Sequence, residues 1–459
     1  MKTNAILNTD SYKCSQWVQM PDGTEYVYSY IESRGGAWDK VVYFGLQSFL
    51  REYLSKPITQ ADIDEAELII TAHGEPFNRA GWQYIVDNHN GYLPLEVRAV
   101  DEGTILPVSN VLVTVVNTDP NCFWLTSYIE TALLRAVWYG TTVATNSFES
   151  KKLIYQAMLE TSDSTDGLAF KLHDFGARGV SSEESAALGG AAHLVNFMGT
   201  DTISALLAAK RYYDCDMAGF SIPAMEHSTV TSWGREGEVS SYRNMLNNFA
   251  KPGAILAAVS DSYDIYNACK LWGTELKDQI VQSGATLVVR PDSGEPSVVV
   301  VKCLKILDKY FGHTVNSKGY RVLNNVRVIQ GDGIDHASIR SILFSMDLAG
   351  YAVDNIAFGQ GGALLQQINR DTLKFAMKAS AAKVNGVWRD VYKDPVTDKG
   401  KRSKKGLLGL VKTDSGYQTV SQQDAGDDDL LKLRFRNGEL FNPTTFEEVR
   451  ARANAPFNP

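Results

Sequence analysis

The chain has 459 residues, 44% hydrophobic and 21% charged, and 45 Lys+Arg against 53 Asp+Glu give a formal net charge of −8. This length suits two or three domains, or one large barrel with an added domain, and the composition is that of a soluble globular protein. The negative balance gives no general attraction to nucleic acid or to an anionic membrane, so any anion site must be built locally.

The five cysteines (Cys14, Cys122, Cys215, Cys269 and Cys303) are far apart and contain no C-x-x-C pair. A disulfide framework and a cysteine-rich zinc site are therefore not expected, and a reducing compartment is. The first residues turn polar too soon for a signal peptide, and no apolar run approaches the roughly 18–20 residues of a membrane span. A cytoplasmic protein is the expectation.

Taken in order, residues 1–150 read as an N-terminal α+β domain. The alternating run at 26–31 predicts a strand, residues 93–117 predict antiparallel β, and 123–138 a buried helix. From about 165 a rhythm begins, and residues 151–385 read as the α/β catalytic domain. Short apolar segments at 169–172, 194–197 (a helix end or a strand), 218–222, 254–259, 285–289, 326–329 and 355–358 recur, and most run into polar clusters before helical stretches, as βα units do. A barrel gathers its site at the C-terminal ends of its strands, whereas a doubly wound sheet loads one switch point. The many loaded strand ends favour an irregular TIM-like α/β barrel. Residues 386–459 carry a basic loop (393–405) and an acidic patch (424–429), and are expected to pack on the N-terminal domain.

The stretch 170–201 holds the densest chemistry. KLHDFG (171–176) runs into Ala177, Arg178 and Gly179, and the spacing of Ser181 and Glu184 predicts a capping box at a helix start. Either an anion site or a merely capped βα turn satisfies this pattern. RPDSG (290–294) sets Arg290 beside Asp292, able to bind a phosphate and sugar hydroxyls or simply to tie a loop. The glycine turns QGDG (330–333) and GQGG (359–362) can offer backbone N–H groups to phosphate or serve only as turns, and neither is a dinucleotide fingerprint or a P-loop. His227 follows Glu226 at a strand end, and taken alone fits a structural role as well as a catalytic one. Asp201, Asp264, Asp292 and Asp332 can jointly hold Mg²⁺, although magnesium is commonly held by substrate phosphates and water. The sum points to a substrate with phosphate, diphosphate and ribose hydroxyls, and does not identify the reaction.

NTDSYK (8–13), KLHDFG (171–176), RGVSS (178–182), GTD (199–201), PAMEHST (223–229), SDSYDIYN (260–267), RPDSG (290–294), RVIQGDG (327–333), NIAFG (355–359) and KRSKKG (401–406) occur in collinear order. In this the chain resembles the nicotinamide phosphoribosyltransferase family. The resemblance implies a type II phosphoribosyltransferase α/β barrel with an additional α+β domain from the N- and C-terminal parts, in a homodimer with shared active sites. It implies formation of nicotinamide mononucleotide and diphosphate from nicotinamide and phosphoribosyl diphosphate, in NAD salvage, with Mg²⁺ carried on the diphosphate. Nicotinate as the base, or a non-catalytic binding protein on the same fold, are the alternatives.

By the same resemblance, Phe175 and the partner subunit's Tyr12 stack on the base, next to Asp10 and Ser221. Arg178 and Asp201 address the carboxamide, and Asp201 repels nicotinate. Arg290 and Asp292 lie at the amide and ribose side, while Gly331, Asp332, Gly361 and Gly362 hold ribose and phosphate. Arg34, Arg370, Lys378, Lys393 and Lys401 surround the phosphates, and His227 accepts a phosphoryl group from ATP. Ala177, Gln360, Ala363 and Ala376 depart from the family pattern.

Overall fold

The computed structural model describes residues 4–397 and 402–457. The chain divides into two compact units. One comprises Met1–Thr145, Ala208–Cys215 and Asn369–Pro456, the other Asn146–Leu207, Asp216–Ile368 and Phe457–Pro459. The division falls inside a single 32-residue helix, Glu130–Thr161, which runs far beyond the 123–138 helix expected from sequence.

The second unit is built on six parallel strands: β1 (Leu172–Asp174), β2 (Gly199–Thr200), β3 (Ile255–Val259), β4 (Thr286–Arg290), β5 (Val326–Gln330) and β6 (Ile356–Gln360). Their spatial order is β2-β1-β6-β5-β4-β3. Leu287 of β4 sits opposite both Leu256 and Val326, and Phe358 of β6 opposite Leu172. The strands are apolar along most of their length and nearly all buried, as a parallel sheet covered by helices requires. Among the covering helices are Ile265–Thr274, Pro296–Phe311 and His336–Leu348. The two edge strands are both touched by the segment 220–224, through parallel bridges Gly199↔Phe220 and Ala224↔Ala257. The sequence expectation of a regular strand at 218–222 is corrected here. Pro223 has no N–H to give a ladder, and the segment makes only isolated bridges.

The first unit carries an antiparallel seven-stranded sheet. Its order is Val387–Asp390, Phe375–Val384, Thr24–Ser33, Val111–Asn117, Leu95–Ala99, Lys432–Arg436 and Glu439–Leu440. Tyr30, Ile31, Val97, Val113 and Phe435 are fully buried in its core. The strand Phe375–Val384 pairs along Thr24–Ser33, so the sequence boundary at 385 is displaced: residues 369–385 belong with the N-terminal strands. The boundary expected at 150 lies within the long helix, a few residues after the division at Thr145.

Candidate active site

The C-terminal ends of the parallel strands carry the polar clusters that the sequence placed there. Inside the sheet, Ala257, Val288 and Ile329 pack with Phe175, Ile222 and Ala357. Phe175 leaves the end of β1 and donates its N–H to the Gln360 carbonyl, 3.0 Å away. Its ring covers the backbone of Gly359 and the edge of Gly331: a Cβ at 359 would lie 2.0 Å from a ring carbon, one at 331 3.2 Å. Glycine at 359 is thus the space in which the ring sits.

Arg178 follows on a short exposed turn (Ala177–Gly179), closed by Gly179 N–H donating to the Gly176 carbonyl at 2.8 Å. Gly179 packs beside Gly362, and Gly361 lies near the Phe175 carbonyl. Asp201, just past β2, donates its N–H to the Asp174 carbonyl at 3.0 Å, and its Oδ1 accepts the Ser221 hydroxyl at 2.6 Å. Phe175, Arg178, Asp201, Ser221, Gly331, Gly361 and Gly362 therefore line one neighbourhood. The helix Glu183–Leu194 is capped by Ser182, whose Oγ accepts the Ser185 N–H at 3.1 Å. That corrects the expected Ser181–Glu184 box by one residue.

Asp174, overlooked in the sequence, is fully buried at the end of β1. Its Oδ1 accepts the Gly176 N–H at 2.7 Å, while Oδ2 has no hydrogen-bond partner. Burial above all pushes its carboxyl up from 3.8 to about 6, with the Gly176 N–H and the neighbouring Thr202 hydroxyl opposing and the Asp201 charge adding. The folded state thus binds this proton more tightly than the unfolded chain does, and above pH 6 the ionised form costs stability. Asp174→Asn, which keeps the acceptor oxygen, is expected to stabilise the chain by about 3 kcal/mol at pH 8. That advantage should shrink as pH falls from 6 towards 4, measured by chemical denaturation at several pH values. A pH-independent difference would refute it.

A second cluster surrounds β3 and β4. Asp261 Oδ1 lies 3.0 Å from His227 Nε2, and Asp261 Oδ2 accepts the Ser293 hydroxyl at 2.5 Å. The Asp261 side chain is 6% exposed and that of His227 46%, so a buried carboxylate holds an accessible imidazole. Arg290 and Asp292 lie 3.8 Å apart. Burial above all pushes the Asp292 carboxyl up, with Asp261 and Asp332 adding and Arg290 opposing. Arg290 Nε and the Oε1 atoms of Gln330 and Gln360 are buried without protein partners, unspent hydrogen-bonding capacity beside this cluster.

The four aspartates considered for magnesium do not form a common cage. Asp264 caps the helix Ile265–Thr274, accepting from Tyr266 and Asn267, and Asp201 is tied to Ser221. Among the described residues the only metal-competent trio is His89, Asp119 and Cys122 in the other unit.

In the first unit, Lys13, Arg34, Lys378 and Lys393 form a cationic cluster. Burial lowers the Lys378 ammonium pKa; Glu130 opposes this, and Arg34, Lys13 and Lys393 reinforce it. Arg34 pairs with Glu32 at 3.0 Å, yet its Nη2 is buried with no partner. Lys13 contacts Glu130, and Lys404 contacts Glu32. Tyr12 is 55% exposed beside Lys13, while Asp10 is tethered by the Thr131 hydroxyl at 2.6 Å. Arg370 is exposed and paired with Asp371. Lys401 lies outside the described residues. Where the basic loop is described, Lys393 and Ser403 exchange hydrogen bonds of 2.8 and 2.9 Å.

A curled parallel sheet in a mixed α/β fold is the architecture of the type II phosphoribosyltransferases. The structure is similar to that of a nicotinate-nucleotide pyrophosphorylase from Pyrococcus furiosus (TM-score 0.63, 16% identity, covering 99% of this chain and 96% of that one). It is also similar to human nicotinic acid phosphoribosyltransferase (TM-score 0.59, 16% identity, 98% and 93%). The chain belongs to the nicotinate phosphoribosyltransferase (NAPRTase) family, whose model matches residues 170–439, and residues 4–97 match the N-terminal domain of nicotinamide phosphoribosyltransferase. A nicotinamide phosphoribosyltransferase of Xanthomonas campestris pv. campestris is 58% identical over 98% of both chains. One of Acinetobacter baylyi is 33% identical over 98% of this chain and 97% of its own. No described helix is long and apolar enough to cross a membrane.

Proposed function

We propose that this chain forms nicotinamide mononucleotide and diphosphate from nicotinamide and phosphoribosyl diphosphate. The observation that carries the choice of base is Asp201 beside the Phe175 platform. Ser221 occupies one of its oxygens and leaves the other to accept a carboxamide N–H. The nearly full-length likeness to nicotinamide enzymes supports the same reading.

The parallel sheet, bridged at both edges by 220–224, is an irregular α/β barrel, and the base lies at its C-terminal mouth. Phe175 stacks one face of the base and Tyr12 of the partner subunit the other, across a homodimer interface. Arg178 and Asp201 hold the carboxamide, so the ring nitrogen points at the anomeric carbon. Arg290 and Asp292, with Asp332 and the Gly331, Gly361 and Gly362 backbone, hold the ribose and phosphate. The cationic cluster of Lys13, Arg34, Lys378 and Lys393 suits the phosphates in a neighbouring subunit's site, and Arg370 and Lys401 are assigned the same task.

The pyridine nitrogen is already nucleophilic, so no strong base is needed. The barrier lies in the leaving group, whose charge must be stabilised as the C–O bond breaks. Asp292 and Asp332 fit a Mg²⁺ carried in on the substrate diphosphate better than one resident in a protein cage. That ion supplies neutralisation of the departing diphosphate. His227, held through Nε2 by Asp261, is the acceptor of the ATP γ-phosphoryl group, and the chemistry is cytoplasmic.

The test is mononucleotide formation with Mg²⁺, with and without ATP. Wild type is expected to accelerate several-fold with ATP, and His227→Ala to lose that acceleration while keeping the ATP-independent rate. Equal ATP dependence in both would remove His227 from the coupling. In the same assay, mixing Tyr12→Ala with Asp292→Ala subunits should restore activity to roughly a quarter of wild type if sites are shared across a twofold dimer. No restoration would refute the shared site.

A further inference from the structure

We propose that Asp174 is the positioning residue of the base pocket, holding the turn that carries Phe175 and Arg178 and the strand end that carries Asp201. This rests on the assignment of that pocket to nicotinamide.

Three features converge on the residue. Its carboxylate Oδ1 accepts the Gly176 N–H at 2.7 Å, a side-chain-to-backbone bond across two residues that reverses the chain directly after β1. Its main-chain carbonyl accepts the Asp201 N–H at 3.0 Å. The carboxylate is also given room from below. A Cβ at Gly190 would come within 3.1 Å of Asp174 Oδ2, 2.6 Å of the Ala205 methyl and 3.2 Å of the Thr202 methyl. Glycine at 190 in the helix Glu183–Leu194 therefore opens the space the side chain fills.

The turn and Asp201 come from different strand ends, and Asp174 bonds both, the turn through its carboxylate and Asp201 through its main-chain carbonyl. A turn alone would be served by any short polar residue at a surface. This one is buried, and Gly176 is buried with it, so the Gly176 N–H has no water to fall back on. Deprived of its acceptor, the turn must open to satisfy that N–H. Phe175 would then leave its place over Gly359, and Arg178, on the same turn, would move with it. The consequence falls first on the base and far less on phosphoribosyl diphosphate, whose Arg290, Asp292 and Asp332 come from the ends of β4 and β5.

The experiment is a graded series in the full-length enzyme, Asp174→Asn, Asp174→Ser and Asp174→Ala, with KM for nicotinamide, KM for phosphoribosyl diphosphate and kcat measured separately. Losing one buried hydrogen bond is expected to raise the nicotinamide KM about tenfold in Asp174→Ala, with the phosphoribosyl diphosphate KM within about twofold. Asp174→Asn retains an oxygen for Gly176 and should stay within about threefold of wild type on nicotinamide, with Asp174→Ser between the two. Should the alanine variant fail to fold, the order of serine and asparagine carries the result. A parallel rise in both KM values, or no difference between asparagine and the shorter side chains, overturns the role. Wild type forming no mononucleotide from nicotinamide would instead bring down the pocket assignment itself, so the two failures are distinguishable.

Discussion

Replacing Asp201 by Asn is expected to cut the preference for nicotinamide over nicotinate, read as a ratio of kcat/KM values, by about thirtyfold. The argument is electrostatic. A nicotinate carboxylate in the place of the carboxamide would face the Asp201 carboxylate at about 4 Å, a repulsion of about 1 kcal/mol in water and about 4 kcal/mol at an effective dielectric of 20. Asp201 is exposed in the free chain, and a bound base would displace part of that water, so a value of about 2 kcal/mol, or about thirtyfold, lies between the limits. Most of the change should appear as a gain on nicotinate, because Asn removes the repulsion while its side-chain oxygen still accepts from a carboxamide. Ser221→Ala should move the ratio less, since it frees Oδ1 without removing the charge. Competing-base assays with phosphoribosyl diphosphate read both variants. An Asp201→Asn enzyme with an unaltered ratio would place base selectivity elsewhere in the pocket.

The strands β3 to β6 were legible because each of their apolar runs ends abruptly in a polar cluster, whereas 169–172 meets β1 only at Leu172 and 194–197 is a helix end and turn ahead of β2. The segment predicted at 326–329 is β5 without its last residue, Gln330, and that at 254–259 is β3 with one residue added in front. What pattern could not supply was partnership. The strand Phe375–Val384 was expected with the catalytic domain, but a strand's periodicity does not name its neighbour, and it pairs with Thr24–Ser33. The same limit hid parts of the site. In SDSYD (260–264) two aspartates look alike; the fold spends Asp264 on a helix cap and turns Asp261 to His227, 34 positions away. Asp174 sat in plain view inside KLHDFG, between residues that were singled out. Its burial, and the twin hydrogen bonds that follow from it, exist only once β1 lies beside β6 and β2. The cations at 13, 34, 378 and 393 converge through an antiparallel sheet assembled from both ends of the chain, a closeness that no local motif records.

Gly359→Ala is expected to be the most damaging single methyl group in the pocket, lowering kcat/KM for nicotinamide by about a hundredfold. A Cβ built at 359 lies 2.0, 2.2 and 2.8 Å from three carbons of the Phe175 ring, far inside contact distance. Something must move, and the backbone of β6 is poorly placed to do so: Gly359 sits opposite His173 in the parallel ladder, and the next residue's carbonyl holds the Phe175 N–H. The ring must therefore swing away from Gly359 and from Gly331, which meets the same Cδ2–Cε2 edge, and so loses its packing beside Ala257, Val288 and Ile329. Overpacking of this kind costs about 1–3 kcal/mol of stability. Displacing the ring also removes a stacking face worth about 0.5–1.5 kcal/mol and leaves the base misaligned for attack, where small displacements cost about a hundredfold. Phe175→Ala in the Gly359→Ala background provides the control. Removing the ring relieves the clash, so the double variant should be more stable than Gly359→Ala alone while binding nicotinamide no better than Phe175→Ala. The two substitutions act on one contact and must be non-additive. Additive losses, or a Gly359→Ala enzyme with the wild-type nicotinamide KM, would mean that the ring over Gly359 is not the surface on which the base rests.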